Sequence, residues 1–120
     1  MELREKGLDL IVYLKTGDKI SDIIKKVVRE YKIIDAKITG YGWLHFLEYG
    51  VLVKSDPIFS EKNHLIELVT VGSLIGLIAE REMELMVIAS TKSKQHIGEF
   101  INGTVENNFS IIISIIKNDI

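Results

Sequence analysis

Apolar and polar residues alternate near the start of the chain, and this period of two predicts a strand. The alternation ends at Thr16-Gly17-Asp18, where we predict a turn. Asp18 is expected to cap the helix that follows, because its carboxylate can accept hydrogen bonds from the first free backbone N–H groups. The apolar residues of the alternating stretch are Leu8, Leu10, Val12 and Leu14.

The next stretch has apolar residues three and four positions apart, which predicts an amphipathic helix over about residues 19–31. Such spacing places one stripe of side chains on the core and leaves the charged side chains on the opposite face. The apolar stripe is Ile20, Ile23, Ile24, Val27, Val28 and Tyr31, and the charged face is Lys25, Lys26, Arg29 and Glu30.

The rest of the chain has no second helical stripe, and its apolar stretches predict strands. Short turns between them favour antiparallel neighbours. The strands are expected at 33–39, 44–54, 65–79, 83–91, 97–101 and 105–116, with Gly72 and Gly76 interrupting the third of them. We expect a bulge at Gly50 and breaks at Gly40-Tyr41-Gly42, Ser55-Asp56-Pro57, Glu61-Lys62-Asn63, Glu80-Arg81-Glu82, Lys92-Ser93-Lys94-Gln95 and Asn102-Gly103.

Together these elements predict an α/β (α+β) fold, a mostly antiparallel sheet of six to eight strands with one amphipathic helix, as a single domain over residues 1–120. A helix of about 13 residues is roughly 20 Å long and covers only part of one sheet face. The later strands are apolar on both faces, since Leu85 and Val87 alternate with Met86 and Ile88. Either the sheet closes into a barrel with the helix outside, or its second face meets another copy of the chain.

The composition strengthens the second of these explanations. Apolar residues make up 47% of the chain before its nine glycines are counted. A typical soluble domain reaches 45–50% with glycine included. The chain therefore has more apolar surface than a monomer of this size needs to bury, and we expect a homo-oligomer.

Charge and cysteine content exclude several classes of function. The chain has 15 basic and 17 acidic residues, a net charge of -2. A protein whose main role is to grip nucleic acid usually has a basic patch, so direct nucleic-acid binding is not expected. There is no cysteine, hence no disulfide and no thiolate metal site. The charged start, Met1-Glu2-Leu3-Arg4-Glu5-Lys6, and the lack of a long apolar run lead us to expect a cytoplasmic location and no membrane contact.

The order of several short motifs resembles the plants-and-prokaryotes-conserved (PPC) domain family over about residues 8–116. The motifs are Thr16-Gly17-Asp18 between the first strand and the helix, Thr39-Gly40-Tyr41-Gly42 after the next strand, the strand 65–74, and Ile97-Gly98-Glu99-Phe100. The resemblance implies one helix with an antiparallel sheet, assembled as a homotrimer. Plant members accompany DNA-binding AT-hooks and mediate protein association, whereas stand-alone prokaryotic members have no settled role.

This chain differs from the family at the positions where many members have candidate metal ligands. Many prokaryotic members have histidines that resemble metal ligands, and the matching positions here are Met86, Ile88 and Glu99. Methionine and isoleucine cannot replace imidazole on a zinc ion. We therefore expect a stand-alone, prokaryotic-type member without the family's metal site and without the AT-hook, since the chain has no Arg-Gly-Arg-Pro tract.

Five residues are candidates for ligand binding: Gly40, Tyr41, Gly42, Trp43 and Glu99. A Gly-x-Gly pair could let a backbone approach a ligand, and the two aromatic side chains could line a pocket, an interface or the core. The pair is not a phosphate loop, because the longer glycine pattern, the lysine and the following helix are all missing. We expect no catalytic residue, no metal and no cofactor.

The remaining titratable residues form no recognisable constellation. His45, His64 and His96 are expected to be surface or partly buried residues, because none belongs to a metal-binding pair. His96 and Glu99 are three positions apart on a strand, so they should point to opposite faces. Glu67 is expected to face solvent rather than a buried site.

Three hypotheses follow. The leading one is a non-catalytic homotrimeric module that binds another protein or a small ligand. The second is an enzyme or small-molecule binder with a cleft near Gly40-Tyr41-Gly42 and Glu99 at a subunit interface, although we expect that the chain is not an enzyme. The third is a DNA-associated regulator, by analogy with the plant relatives.

Overall fold

Seven strands and one helix make up the chain in the computed structural model, which describes residues 1–119. All the strands belong to one sheet and every pairing is antiparallel. The elements are β1 (Glu2–Lys6), β2 (Asp9–Lys15), α1 (Ile20–Glu30), β3 (Ile33–Ser55), β4 (Ile58–Leu65), β5 (Val69–Ala79), β6 (Glu82–Ser90) and β7 (Gln95–Asn118). The predicted fold class is confirmed.

Four of the strands close on one another. β3 pairs with β5, β5 with β6, β6 with β7, and β7 again with β3. β2 and then β1 continue from β7 on one side, and β4 continues from the second half of β3 on the other. Closure buries one apolar face of these strands, as the barrel explanation predicts, but the helix packs on that buried face instead of lying outside.

The core lies between the inner face of the sheet and the helix. Ile38 in β3, Leu74 in β5 and Val87 in β6 are fully buried, as are the helical residues Ile20 and Val27. The end of β7 supplies a row of alternate inward side chains, Phe109, Ile111 and Ile113. The predicted helical stripe is therefore the packed face.

The prediction that Asp18 caps the helix is wrong. Its Oδ2 atom accepts from the backbone N–H of Lys15 at 2.9 Å, which closes the turn after β2 instead. The helix N-cap is Lys19, which makes no side-chain capping bond. A short polar side chain can satisfy either the turn behind it or the helix ahead of it, and Asp18 bonds to the turn.

The start of the helix is held by β7. The side-chain Oδ1 of Asn102 accepts from the backbone N–H of Ser21 at 3.3 Å and of Gly103 at 2.8 Å. The Ser21 hydroxyl donates to the Ile101 carbonyl at 2.7 Å. A residue remote in sequence thus accepts from one of the unpaired N–H groups at the helix start.

Three predicted breaks are wrong, because residues 40–42, 61–63 and 102–103 lie inside β3, β4 and β7. In β3 the pairing with β5 shifts register between Gly40 and Gly42, so the strand is irregular but continuous. Gly42 has a φ of 153°, and a Cβ atom there would lie 2.6 Å from the Asn108 carbonyl oxygen. Close approach of β7, rather than a turn, explains why glycine stands at this position.

The predicted bulge at Gly50 is also wrong, since the register with β4 shifts between Leu52 and Lys54. The prediction for 65–79 is partly confirmed. The pairing of β5 with β6 shifts between Val71 and Ser73, on either side of Gly72. Gly76 causes no interruption. It lies where β6 passes so closely that a Cβ atom would collide with the Glu84 carbonyl oxygen.

Candidate functional site

An open cavity of about 430 Å³ lies on the outward face of β2, β7 and β3. The candidate residues Gly40 and Tyr41 line it, and Tyr13 lies on its other side. We call this cavity the tyrosine groove. Its full lining is Ile11, Tyr13, Thr39, Gly40, Tyr41, Gly72, Ser73, Ser110 and Ile112.

Gly42 and Trp43 do not line the tyrosine groove. Gly42 is buried behind Phe109 and serves the packing of β3 on β7. Trp43 is partly buried and pairs with Thr70 of β5. Of the four adjacent candidates, the structure therefore brings only Gly40 and Tyr41 to the cavity.

Glu99 lies in a different depression of about 480 Å³, which we call the glutamate groove. Along the sheet, Thr39 pairs with Ile75, Ile75 with Met86, and Met86 with Glu99. Met86 also lines the glutamate groove, so two strand spacings along the sheet, roughly 10 Å, separate it from Thr39 of the tyrosine groove. The glutamate groove is lined by Gly50, Val51, Leu52, Ile58, Ser60, Met86, Ile97, Gly98 and Glu99.

The positions that resemble the family's histidines do lie together. Met86 pairs directly with Glu99, and Ile88 pairs with Ile97. The donors at this place are one carboxylate and one thioether, which do not make a metal site. Within residues 1–119, no three histidine, cysteine or carboxylate side chains form a group that could hold a metal ion.

His96 is buried, at 5% exposure, so the prediction that it is a surface or partly buried residue is wrong. Its Nδ1 atom lies 2.7 Å from the Tyr49 hydroxyl, and its Nε2 atom lies 3.4 Å from the Thr91 hydroxyl. The ring is therefore paired on both nitrogens. Burial raises the pKa of the Tyr49 phenol above its usual value, because the charged form loses solvation there. As predicted, Glu99 is exposed on the opposite face.

The other two histidines agree with their predictions. The His64 Nε2 atom lies 2.6 Å from a Glu48 carboxylate oxygen at an exposed site. The His45 Nδ1 atom lies 3.6 Å from Glu106 Oε2. Glu106 also accepts from Thr16 at 3.3 Å. Neither histidine lines the tyrosine groove or the glutamate groove.

Glu67 lies between β4 and β5 and is exposed, as predicted. It borders a third depression together with Leu68, Thr70 and Lys92. A solvated carboxylate beside a loop has none of the burial that marks a functional acid.

The outward side of β5, β6 and β7 is apolar across neighbouring strands. Ile75 pairs with Met86, and Ile88 pairs with Ile97. These four side chains are between 45% and 54% exposed. We call them the apolar outer face.

Several residues that line the tyrosine groove were not predicted from the sequence, namely Tyr13, Thr39, Ser73 and Ser110. Alternation in β2 does mark Tyr13 as outward-facing. Nothing in the sequence indicates that β7 runs between β2 and β3, and this order is what places Ser110 between the two tyrosines.

Among residues 1–119 there is no helix with the length and apolarity that crossing a membrane requires. No protein-family model matches the chain. No curated protein matches it either.

Solved structures do match the fold. A candidate DNA-binding protein from Bacteroides thetaiotaomicron has 12% identity and a TM-score of 0.88, over 98% of this chain and 85% of that one. A PPC protein from Pyrococcus horikoshii has 18% identity and a TM-score of 0.77, over 99% of this chain and 84% of that one. Acetolactate decarboxylase from Bacillus subtilis has 12% identity and a TM-score of 0.66, over 90% of this chain but 53% of the enzyme. At these identities the likeness concerns the fold alone.

Proposed function

We propose that the chain is a non-catalytic assembly module of PPC-domain type, a homotrimer joined through the apolar outer face. The observation that supports this most is the exposure of Ile75, Met86, Ile88 and Ile97 on neighbouring strands. Large contiguous apolar patches on a soluble protein usually mark an interaction site. The trimer itself comes from the family resemblance, and cyclic closure is the usual outcome for copies of one chain.

The apolar outer face continues into the hairpin of β3 and β4. Leu52 and Ile58 on this hairpin line the glutamate groove together with Met86 and Ile97. Leu52 and Ile58 are exposed as well. A neighbouring copy seated here would bury one continuous apolar surface, the main source of favourable free energy in association.

The replaced histidines support a non-catalytic role. Met86 and Ile88 offer neither an acid nor a base, and within residues 1–119 no imidazole pairs with the neighbouring Glu99. General acid–base chemistry needs titratable groups within hydrogen-bonding reach of each other or of a substrate. We do not propose decarboxylase activity for this chain, because it spans only about half the length of the acetolactate decarboxylase that it resembles.

Direct DNA contact is not part of the proposal, even though one structural neighbour is described as a candidate DNA-binding protein. The net charge of -2 opposes binding to phosphates, which needs clustered lysine and arginine. We propose a cytoplasmic module that binds a protein partner or a small ligand instead.

The oligomeric state tests the proposal. Light scattering at micromolar concentration should give a mass three times the 13.6 kDa of one chain. The double variant Ile88→Glu/Ile97→Lys places opposite charges on a directly paired couple, which suits an exposed sheet but not a buried interface. We expect this variant to be a folded monomer.

Leu8→Glu is the matched control, because Leu8 is an exposed apolar residue in the turn between β1 and β2, away from the apolar outer face. It should leave the trimer intact. A wild-type protein that is monomeric at this concentration would contradict the proposal. If the double variant keeps the wild-type mass, the interface between copies does not use the apolar outer face.

A further inference from the structure

Two tyrosines of the tyrosine groove stand on either side of a small residue. Tyr13 of β2 pairs with Ser110 of β7, and Ser110 pairs with Tyr41 of β3. All three line the same cavity, so their side chains rise from one face of the sheet. The serine side chain is short, and it leaves a gap between the two phenol rings.

The strand spacing across Ser110 leaves room for one flat ring. Residues two strands apart have backbones roughly 9–10 Å apart. A ring held between two others at van der Waals distance needs their planes about 7–8 Å apart. A slight lean of the two side chains towards each other would bring their ring planes to this separation. Within residues 1–119 the Tyr13 and Tyr41 rings do not stack on each other, so the space between them is free for a third ring.

The lining of the groove is polar but uncharged. Besides the two phenols, Thr39, Ser73 and Ser110 supply hydroxyl groups that both donate and accept hydrogen bonds. The other four lining residues are two isoleucines and two glycines, so no charged group belongs to the lining itself. A charged group outside the lining, the Arg4 guanidinium, lies 5.5 Å from the Tyr13 ring centroid and is paired with Glu2 at 3.0 Å. Such walls suit a neutral ring that has hydrogen-bonding atoms at its edge.

We propose that the tyrosine groove binds a flat, uncharged heteroaromatic ring of nucleobase size, stacked between Tyr13 and Tyr41. Its volume of about 430 Å³ falls in the range of small-molecule sites. This activity goes beyond the assembly proposed above and rests on different residues, although the groove adjoins the apolar outer face where Thr39 pairs with Ile75 and Ser73 with Ile88.

The ring could belong to a free nucleoside or to an unpaired base of a single strand. Stacking on aromatic side chains serves both. The uncharged lining and the acidic chain favour the free nucleoside, because a single strand would also need cations along its phosphates.

The experiment is a titration with adenosine, guanosine, cytidine and uridine, followed by NMR chemical shifts, with ribose as the control without a base. We expect saturable binding of at least one nucleoside, with shifts confined to β2, β3 and β7. Tyr41→Ala should weaken binding about five- to a hundredfold, the usual loss for one stacking partner. Tyr41→Phe should retain most of the affinity.

Phe59→Ala is the matched control. Phe59 is an aromatic residue of nearly equal exposure, 58% against 59% for Tyr41, and it lies on β4 outside the groove. Its removal should leave binding unchanged. Ser110→Leu keeps both tyrosines but fills the gap between them, so it should abolish binding in a protein whose thermal transition remains cooperative.

An octanucleotide of deoxyadenosine separates the two sources of the ring. Binding of adenosine alone would indicate a free nucleoside, whereas much tighter, salt-sensitive binding of the strand would indicate single-stranded nucleic acid. The proposal is overturned if no nucleoside and no strand binds at millimolar concentration. It is also overturned if binding survives both Tyr41→Ala and Ser110→Leu.

Discussion

Tyr49 and His96 form a polar pair inside this protein. Both residues are buried, their polar atoms lie 2.7 Å apart, and the two rings meet edge to face. Buried polar groups are costly unless they are hydrogen-bonded, so the two residues depend on each other. The pair lies inside the fold, on the side opposite to the exposed Glu99.

Tyr49→Phe should lower the free energy of unfolding by about 1–3 kcal/mol near neutral pH, because His96 Nδ1 would be left without its partner. The pH dependence has a definite sign. Burial raises the pKa of Tyr49 in the folded state, so above the unfolded value near 10 the unfolded chain loses the proton first. Wild-type stability should therefore fall above pH 10, and its advantage over the variant should shrink.

Urea unfolding at pH 7, 9 and 11 measures both effects, with Tyr41→Phe as the control at an exposed tyrosine. If Tyr49→Phe and the wild type lose stability in parallel between pH 9 and pH 11, Tyr49 does not ionise with a raised pKa.

At the scale of the element, the helix depends on a strand that is far away in sequence. Asn102 accepts from the backbone N–H of Ser21 in the first turn of α1. A strand residue here takes the place that a preceding Asp or Ser usually has in capping a helix.

Asn102→Ala should lower the free energy of unfolding by about 0.5–2 kcal/mol, the usual effect of removing a capping acceptor. Asn102→Asp should retain the stability, because its carboxylate still accepts from Ser21 and its charge suits the helix N-terminus. Thermal unfolding of the two variants checks this. If both variants lose the same free energy of unfolding, then Asn102 stabilises the protein through its side-chain NH₂ group and not through the oxygen that accepts from Ser21.

The helix and the strand β2 could be predicted from the sequence because local periodicity determines them. The stretches 40–42 and 102–103 could not. Their glycines suggest turns, yet Gly42 and Gly103 stand where another strand or a core side chain packs too closely for a Cβ atom. That reason exists only after β3 and β7 have paired. For the same reason, the sequence could indicate Tyr41 as a ligand-binding candidate but not its facing residue Tyr13.

At the scale of the whole molecule, the proposed assembly through the apolar outer face would couple association to stability. If the folded chains associate and the unfolded chains do not, association stabilises the fold by mass action. The transition temperature of such a protein depends on its concentration.

We expect the transition temperature of the wild type to rise by about 3–5 °C for a tenfold increase in protein concentration. Ile88→Glu/Ile97→Lys should melt at the same temperature across that range. Differential scanning calorimetry at two concentrations measures both. A concentration-independent transition in the wild type would show that unfolding is not coupled to dissociation.

The closed circuit of β3, β5, β6 and β7 also has a consequence for biosynthesis. β7 is the last of these strands to leave the ribosome, and it pairs with β2, β3 and β6. Until it arrives, a nascent chain exposes unpaired strand edges lined with isoleucine and valine, which invite aggregation. Pairing of strands so distant along the chain is also slow. Synthesis of this protein should therefore be most vulnerable just before β7 is complete, when chaperones that hold unfolded chains would be most useful.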